Sequence, residues 1–370
     1  MDQALESVSR NNKTIQAAQQ FVTAQKLEHR TGITPENPYL SADYLIGKNA
    51  SFGNQFDFAL IQSLDFPSVY FKKGNLADEQ DKLLDISMDE LRQKVLLETK
   101  ETVLEIIYLN GQKELFEERK ANAQLIVEAY QKKFDLEEIN ALELNKAKIQ
   151  MLNIKSALRN INSGIKMKGD HLSEMNGGSS IQISDSKYAL VPDLPSFEVL
   201  EDTIEQNDPS LKSLNQQAQV SQSSLALKKA MTLPNFETGY RYQSVLGQTF
   251  NGVHIGLNIP LWQHKNELKT ERAKAEFVKL EIEEHEIGHS YEIKELYENY
   301  KNLKIEWEEY QAVLSGLNSF QILKVALDLG QIDFITYSME LNFFYEAEDQ
   351  LNHIKKEYQL AIAKLYKYQL

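Results

Sequence analysis

Hydrophobic residues recur along this chain with two different periods, and the switch between them marks its elements. From Leu84 onward apolar positions return every seven residues. Met88, Val95, Leu109, Phe116, Ala123 and Tyr130 share one register, polar Thr102 fills its gap, and Leu84 and Leu91 form a companion row. Glu, Lys, Gln and Asn occupy much of the remainder. This predicts an amphipathic helix whose apolar seam packs on other helices. After Gly74 the stretch to Asp135 has only Gly111 as a breaker, and the stretch Pro260–Asp328 has only Gly288 and Gly316. Some 60 residues of helix rise about 90 Å at 1.5 Å per residue. No ordinary globular domain needs such a helix, which suits a coiled coil or a tube wall. Returning amphipathic helices are expected over about Asn140–Asn162 and Asp333–Tyr368.

Elsewhere the period is two. In Phe236–Gln243 one face carries Phe236, Thr238, Tyr240 and Tyr242, and the other Glu237, Gly239, Arg241 and Gln243. The next run sets Val253, Ile255, Leu257 and Ile259 against His254, Gly256 and Asn258, with turn chemistry at Gly247-Gln248 and Asn251-Gly252 between them. An earlier pair has Leu40, Ala42, Tyr44 and Ile46, then Phe56, Phe58 and Leu60. Strands of about 10 residues with one apolar and one polar side fit a membrane barrel with a wet lumen. A water-soluble sheet packed on a helix shows the same alternation.

These elements come twice. Asn11-Asn12-Lys13-Thr14-Ile15 reads like Asn207-Asp208-Pro209-Ser210-Leu211 at an offset of 196, which Pro38/Pro234 and Tyr44/Tyr240 keep. Leu64-Asp65-Phe66-Pro67 reads like Leu257-Asn258-Ile259-Pro260 at 193, as do Asp135-Leu136 and Ile139-Asn140 against Asp328-Leu329 and Ile332-Asp333. One three-residue length difference between Tyr44 and Leu64 accounts for both offsets. Agreement of several registers indicates a duplication. The expected organisation is a first repeat over 1–163, with a strand pair at 39–66 and a hairpin tip near 134–140. A connecting segment at 164–196 follows, with one short strand at Ile181–Ile183. The second repeat spans 197–370, with a strand pair at 235–259 and a tip near 327–333.

Composition narrows the classes. A net charge of −14 excludes a broad nucleic-acid face, which must neutralise phosphates. With no cysteine, disulfides, thiol catalysis and cysteine-based metal sites are excluded. No run approaches the roughly 20 apolar residues of a membrane-spanning helix, so any lipid contact is through strands. The start Met1-Asp2-Gln3-Ala4-Leu5 has no apolar signal segment, as in a cytoplasmic protein or a mature chain whose signal has been removed.

Four short strands cannot close a membrane barrel, because the smallest use about eight, and an open edge in lipid leaves backbone groups unpaired. If these strands meet a membrane, chains must share one barrel. At this point the chain resembles the TolC-type outer-membrane efflux family over nearly its full length. The resemblance rests on Leu233-Pro234-Asn235-Phe236 ending a helix, on Gly256-Leu257-Asn258-Ile259-Pro260-Leu261-Trp262 ending the second strand, and on the tip Leu327-Asp328-Leu329-Gly330-Gln331-Ile332-Asp333. The chain end Ala361-Ile362-Ala363-Lys364-Leu365-Tyr366 is also similar. The first half has the weaker Ile61-Gln62-Ser63-Leu64-Asp65-Phe66-Pro67, carries Glu137 in the glycine's place, and has a longer strand loop around Asn49–Asn54. The resemblance implies a mostly α-helical fold with a membrane β-barrel. Long antiparallel helical hairpins form a tunnel, and four strands per chain enter a 12-stranded barrel shared by a homotrimer. It further implies the outer membrane of a Gram-negative bacterium, a periplasmic adaptor protein, an inner-membrane efflux pump, a passive exit duct, and neither catalysis nor cofactor.

Candidate residues follow. The tips carry Asp328, Gly330, Asp333 and Glu340 in one repeat and Glu137, Glu138 and Asn140 in the other. With Glu143 these carboxylates can ring a tunnel entrance, select cations and gate by repulsion or by pairing with bases. A solvated helix surface has the same composition. Asp333, after the tip turn, is the first choice. Tyr242, Trp262 and Phe236 suit a membrane-girdle role, and simple packing is the alternative. His254 reads as an ordinary polar lumen residue. His285-Glu286-Ile287-Gly288-His289 matches the zinc-protease pattern H-E-x-x-H, but a catalytic zinc needs a third ligand. Glu308 would sit about 28 Å from His289 on one helix, so no metal site is expected. Two other classes remain open. A periplasmic adaptor has one hairpin flanked by compact β domains, and a soluble coiled-coil scaffold lacks paired strands.

Overall fold

The computed structural model describes residues 1–48, 52–189, 192–262, 264–315 and 319–370. The elements run α1 (Asp2–Asn11), α2 (Lys13–His29), β1 (Tyr39–Leu45), β2 (Gln55–Leu64), α3 (Pro67–Asp135) and α4 (Ala141–Met175). They continue with α5 (Phe197–Asn207), α6 (Pro209–Ala230), β3 (Asn235–Val245), β4 (Gln248–Asn258), α7 (Lys265–Ser315), α8 (Ser319–Asp328) and α9 (Phe334–Leu365). The second series repeats the first, as the matched offsets require. Even the caps correspond. Asn12 accepts from the Ile15 N–H at 3.0 Å, and Asp208 accepts from Ser210 and Leu211 N–H at 3.1 and 3.2 Å. Each satisfies donors that a helix start leaves unpaired.

α3 begins at Pro67, where a missing N–H costs nothing, and runs 69 residues without a break. Its seven-residue register is the packed side, since Val95, Thr102, Ala123 and Tyr130 are all buried. In the second long stretch α7 spans Lys265–Ser315 and α8 spans Ser319–Asp328, and residues 316–318, with Gly316, lie outside the described residues. Part of the loop around Asn49–Asn54 also lies outside them. α4 continues to Met175, beyond the Asn162 expected from the sequence. Gly164 packs beside Leu109 and Gly169 has open space around it. An isolated glycine costs a helix only about 1 kcal/mol, and buried Leu172 and Met175 hold this last part in the core. The stop comes at Gly177 and Gly178, with φ of +66° and +90°. Ile181–Ile183 forms no strand. Its backbone is engaged differently, with the Ile183 carbonyl accepting from Asn110.

Two compact units result. One comprises Met1–Gln16, Leu91–Asn207 and His289–Leu370, the other Ala17–Glu90 and Asp208–Gly288, and each draws on both repeats. Two core clusters of described residues lie in the first unit. Leu200, Ile204, Ile293, Tyr300, Tyr358, Ala361, Ile362 and Leu365 join α5, α7 and α9. Tyr130, Leu144, Ala147, Phe334, Tyr337 and Leu341 join α3, α4 and α9 beside the tips.

The second unit holds a four-stranded antiparallel sheet in the order β1-β2-β3-β4. Its β3–β4 turn is Leu246-Gly247, with φ of +52° and +78°, the two-residue geometry that matches strand twist. Gln248 and Asn251-Gly252, expected in the turn, lie in β4, where Asn251 opposes Tyr242. The reason is register. Pairing Val253 with Tyr240, Ile255 with Thr238 and Leu257 with Phe236 keeps the apolar residues on one face, and a one-residue slip would turn them over. Beside the sheet, α2 is tied to α3 by His29 and Arg30 on Asp81, each at 2.8 Å, and by Lys26 on Asp85 at 2.6 Å.

Candidate functional site

Opposed residues in an antiparallel sheet share a face, so the register builds one apolar band across all four strands. It contains Leu40, Ala42 and Tyr44 of β1 and Phe56, Phe58 and Leu60 of β2. Phe236, Tyr240 and Tyr242 of β3 and Val253, Ile255 and Leu257 of β4 complete it. The band is not a core. Val253 is 77% and Ile255 82% exposed, and Leu40, Tyr44 and Leu257 are exposed too. A contiguous exposed apolar surface of this kind marks a contact with lipid or protein. The other face carries Asp43, Asp57, Glu237, Arg241 and His254, with His254 Nε2 3.6 Å from Glu237. Of the expected girdle residues, Phe236 and Tyr242 lie towards opposite ends of β3, within 6.1 Å of Phe66 and 6.3 Å of Phe56. Trp262 is exposed, four residues beyond β4. Among the described residues no helix is long and apolar enough to cross a membrane.

The two tips, both in the first unit, are built alike. At the end of α3, Glu138 N–H reaches the Lys133 carbonyl at 2.8 Å and Glu137 N–H the Phe134 carbonyl at 3.0 Å. At the end of α8, Gln331 N–H reaches Ala326 at 2.9 Å and Gly330 N–H reaches Leu327 at 3.0 Å. This is the Schellman closure, which needs a left-handed residue at its hinge. Gly330 supplies φ of +68°, and Glu137 is forced to +59°. Three residues on, Asn140 caps α4 by accepting from Leu142 and Glu143 N–H, and Asp333 caps α9 by accepting from Thr336 N–H at 2.8 Å. Hydrogen bonds from the Thr336 side chain, then from its N–H, with Lys146 nearby, hold the Asp333 carboxyl below the usual aspartate range.

Glu137, Glu138, Asn140, Asp328 and Asp333 therefore gather at the tips, all exposed. Glu340 sits seven residues, about 10 Å, further along α9. Asp328 lines a cleft of about 250 Å³ with Lys133, Lys324, Tyr130 and Tyr337. Burial, with Asp328 adding to it, pushes the Tyr337 hydroxyl up to about 12.

Sequence reasoning missed Arg119. Its side chain is 5% exposed and holds Asp349 through two bonds of 2.9 Å, Glu348 at 3.2 Å and the Tyr345 carbonyl at 3.2 Å. The guanidinium also lies 4.2 Å from the Tyr345 ring and 4.8 Å from that of Phe116. The signal was present, since Arg119 falls three residues after Phe116 and four before Ala123, inside the apolar stripe.

The H-E-x-x-H segment lies within α7 and Glu286 is exposed. His285 Nε2 is 2.7 Å from Asp208 Oδ2, the buried carboxylate that caps α6. Nothing in the sequence linked these two positions. The contact gives His285 a packing partner that the motif does not require.

No protein-family model matches the chain, and no curated protein matches its sequence. Its fold does match solved structures. A membrane protein from Pseudomonas aeruginosa superposes with a TM-score of 0.84 at 12% identity, covering 99% of this chain and 89% of that one. The VceC outer membrane protein of Vibrio cholerae gives 0.81 at 11%, covering 99% and 95%. The CmeC outer membrane channel of Campylobacter jejuni gives 0.76 at 15%, covering 99% and 84%. The chain has the TolC-like fold, in which each chain supplies four strands to a shared barrel.

Proposed function

We propose that this chain is an outer-membrane channel subunit that assembles as a homotrimer with one 12-stranded barrel. It is a passive exit duct, fed from an inner-membrane pump through a periplasmic adaptor, and it makes and breaks no bonds. The observation that carries this reading is the exposed apolar band on a sheet whose two edge strands have, among the described residues, a pairing partner on one side only. Water penalises the band, and lipid penalises the edges. Three copies in a bilayer meet both demands at once. Support comes from the fold shared with CmeC, described as an outer membrane channel, and with VceC, described as an outer membrane protein. The tips, where exposed carboxylates converge on two matched turns, are the proposed gate. The test is membrane fractionation, sizing in detergent, then conductance in a planar bilayer. An outer-membrane trimer with cation-preferring conductance is expected. A monomer that stays soluble without detergent would sink the channel and favour a soluble scaffold.

A further inference from the structure

In the first unit, a segment between α4 and α5 is strapped across α3. Asn110 donates to the carbonyls of Ile183 and Asp185, both at 3.0 Å. Tyr188 donates to the Leu104 carbonyl at 3.2 Å. Gly111 is required beneath it, because a Cβ there would stand 2.9 Å from the Ser186 carbonyl oxygen. The strap roofs a cavity of about 470 Å³ between α3, α7 and α9.

The lining has two parts. Four aromatic side chains, Tyr108, Tyr188, Trp307 and Tyr358, face it from four different segments, together with Lys355. Glu114, Glu118 and Lys187 also line it but are exposed, and so they are solvated at its rim. Lys355 is half-buried and makes no ion pair or hydrogen bond with any described residue. Burial alone lowers its affinity for a proton, with no carboxylate opposing that effect. The next residue, Lys356, is by contrast satisfied by Glu357 at 2.9 Å and by the Tyr108 ring at 5.2 Å. A buried ammonium without an anion is expensive. One that faces an aromatic-walled cavity is completed by a ligand carrying the missing charge.

We propose that this cavity binds an amphipathic aromatic carboxylate, with its carboxylate on the Lys355 ammonium and its ring against Trp307 and Tyr358. The site uses no residue of the sheet or of the tips, and does not depend on the channel reading. A duct with such a pocket in its wall would sense or retain one chemical class of solute.

The chain has two tryptophans, so a Trp262→Phe variant leaves Trp307 as the sole reporter. The probe is 2-naphthoate, titrated into the detergent-solubilised full chain, against uncharged 2-naphthamide. Saturable change in Trp307 fluorescence is expected with naphthoate, at least tenfold weaker with the amide. Lys355→Met should weaken naphthoate at least tenfold and leave the amide unchanged. Lys355→Arg should retain binding, and Lys356→Met should change nothing. Equal affinity for acid and amide, or no saturable signal, would overturn the proposal. The acid–amide comparison needs no variant at Lys355 and so survives any folding defect there.

Discussion

Glu137 adopts φ +59° where its counterpart Gly330 adopts +68°. A side chain in this region costs on the order of 1 kcal/mol. Gly330→Ala should therefore lower stability by about 1 kcal/mol. Glu137→Gly should change it by less, because relief of strain is offset by the greater freedom glycine gives the unfolded chain. Hydrogen exchange at residues 133–143 and 326–336 reads both. Equal losses for the two variants would show that the hinges are not equivalent. Asp333 adds a pH dependence. Its folded carboxyl titrates below the ordinary range, so its contribution is fully present above the unfolded value and is lost as pH falls through the folded one. Acidification should loosen the second tip, and Asp333→Asn, which can still cap, should remove that response. An unchanged acid response in the variant would exclude Asp333 as its source. Arg119 is the costlier position. Arg119→Ala leaves Asp349 and Glu348 without their cation, and about 3 kcal/mol should be lost, the low end for a buried pair because Asp349 keeps solvent access. Arg119→Lys cannot reproduce the two-pronged contact and should recover only part of it, as read by thermal unfolding in detergent.

At the scale of elements, the faces of the sheet separate two kinds of position that one strand alternates. Ile255→Arg places a cation on the apolar band, where a mid-bilayer arginine costs about 2–4 kcal/mol. His254→Arg, one residue away on the polar face, should cost little. Recovery from the membrane fraction measures the difference, and parity between the two would contradict a lipid-facing band. This alternation, the duplication and the length of α3 were legible because each is a periodic signal repeated over many residues. The hinge of the second hairpin was not. Gly247-Gln248 and Asn251-Gly252 have turn chemistry, yet cross-strand pairing outweighed it and put Leu246 into the turn. α4 runs past the expected Asn162 for a similar reason. Gly164 and Gly169 have low helix propensity, but packing at Leu172 and Met175 overrides it. In the candidate gate, the sequence located both tips through their matched spacing. It could not reveal Arg119's partners or the cavity at Lys355, since both depend on residues brought together from more than 200 positions apart.

The whole assembly is decided at the sheet edges. Among the described residues β1 and β4 are paired on one side only, and each leaves a row of N–H and C=O groups that lipid cannot satisfy. Four strands fall short of the smallest barrel, and eight would come from two copies, so strand number alone permits dimers. The polar face of the sheet argues against two. An eight-stranded barrel has an interior just wide enough for its own side chains, whereas this sheet lines its inner face with Asp43, Asp57, Glu237 and Arg241. Such a face calls for water and hence for a wider ring, and three copies give 12 strands. Each β4 must then pair with β1 of the next copy. The chain contains no cysteine, so introduced pairs report on contacts without background. One cysteine in β1, at Ser41 or Asp43, combined with one in β4, at His254 or Gly256, keeps every thiol on the polar face. Oxidation should give a ladder of one, two and three chains that ends at three, since a closed ring has no further edge to offer. A ladder ending at two would reduce the barrel to eight strands. One that continues past three would mean the strands form an open sheet, and the proposal of a closed duct would fall.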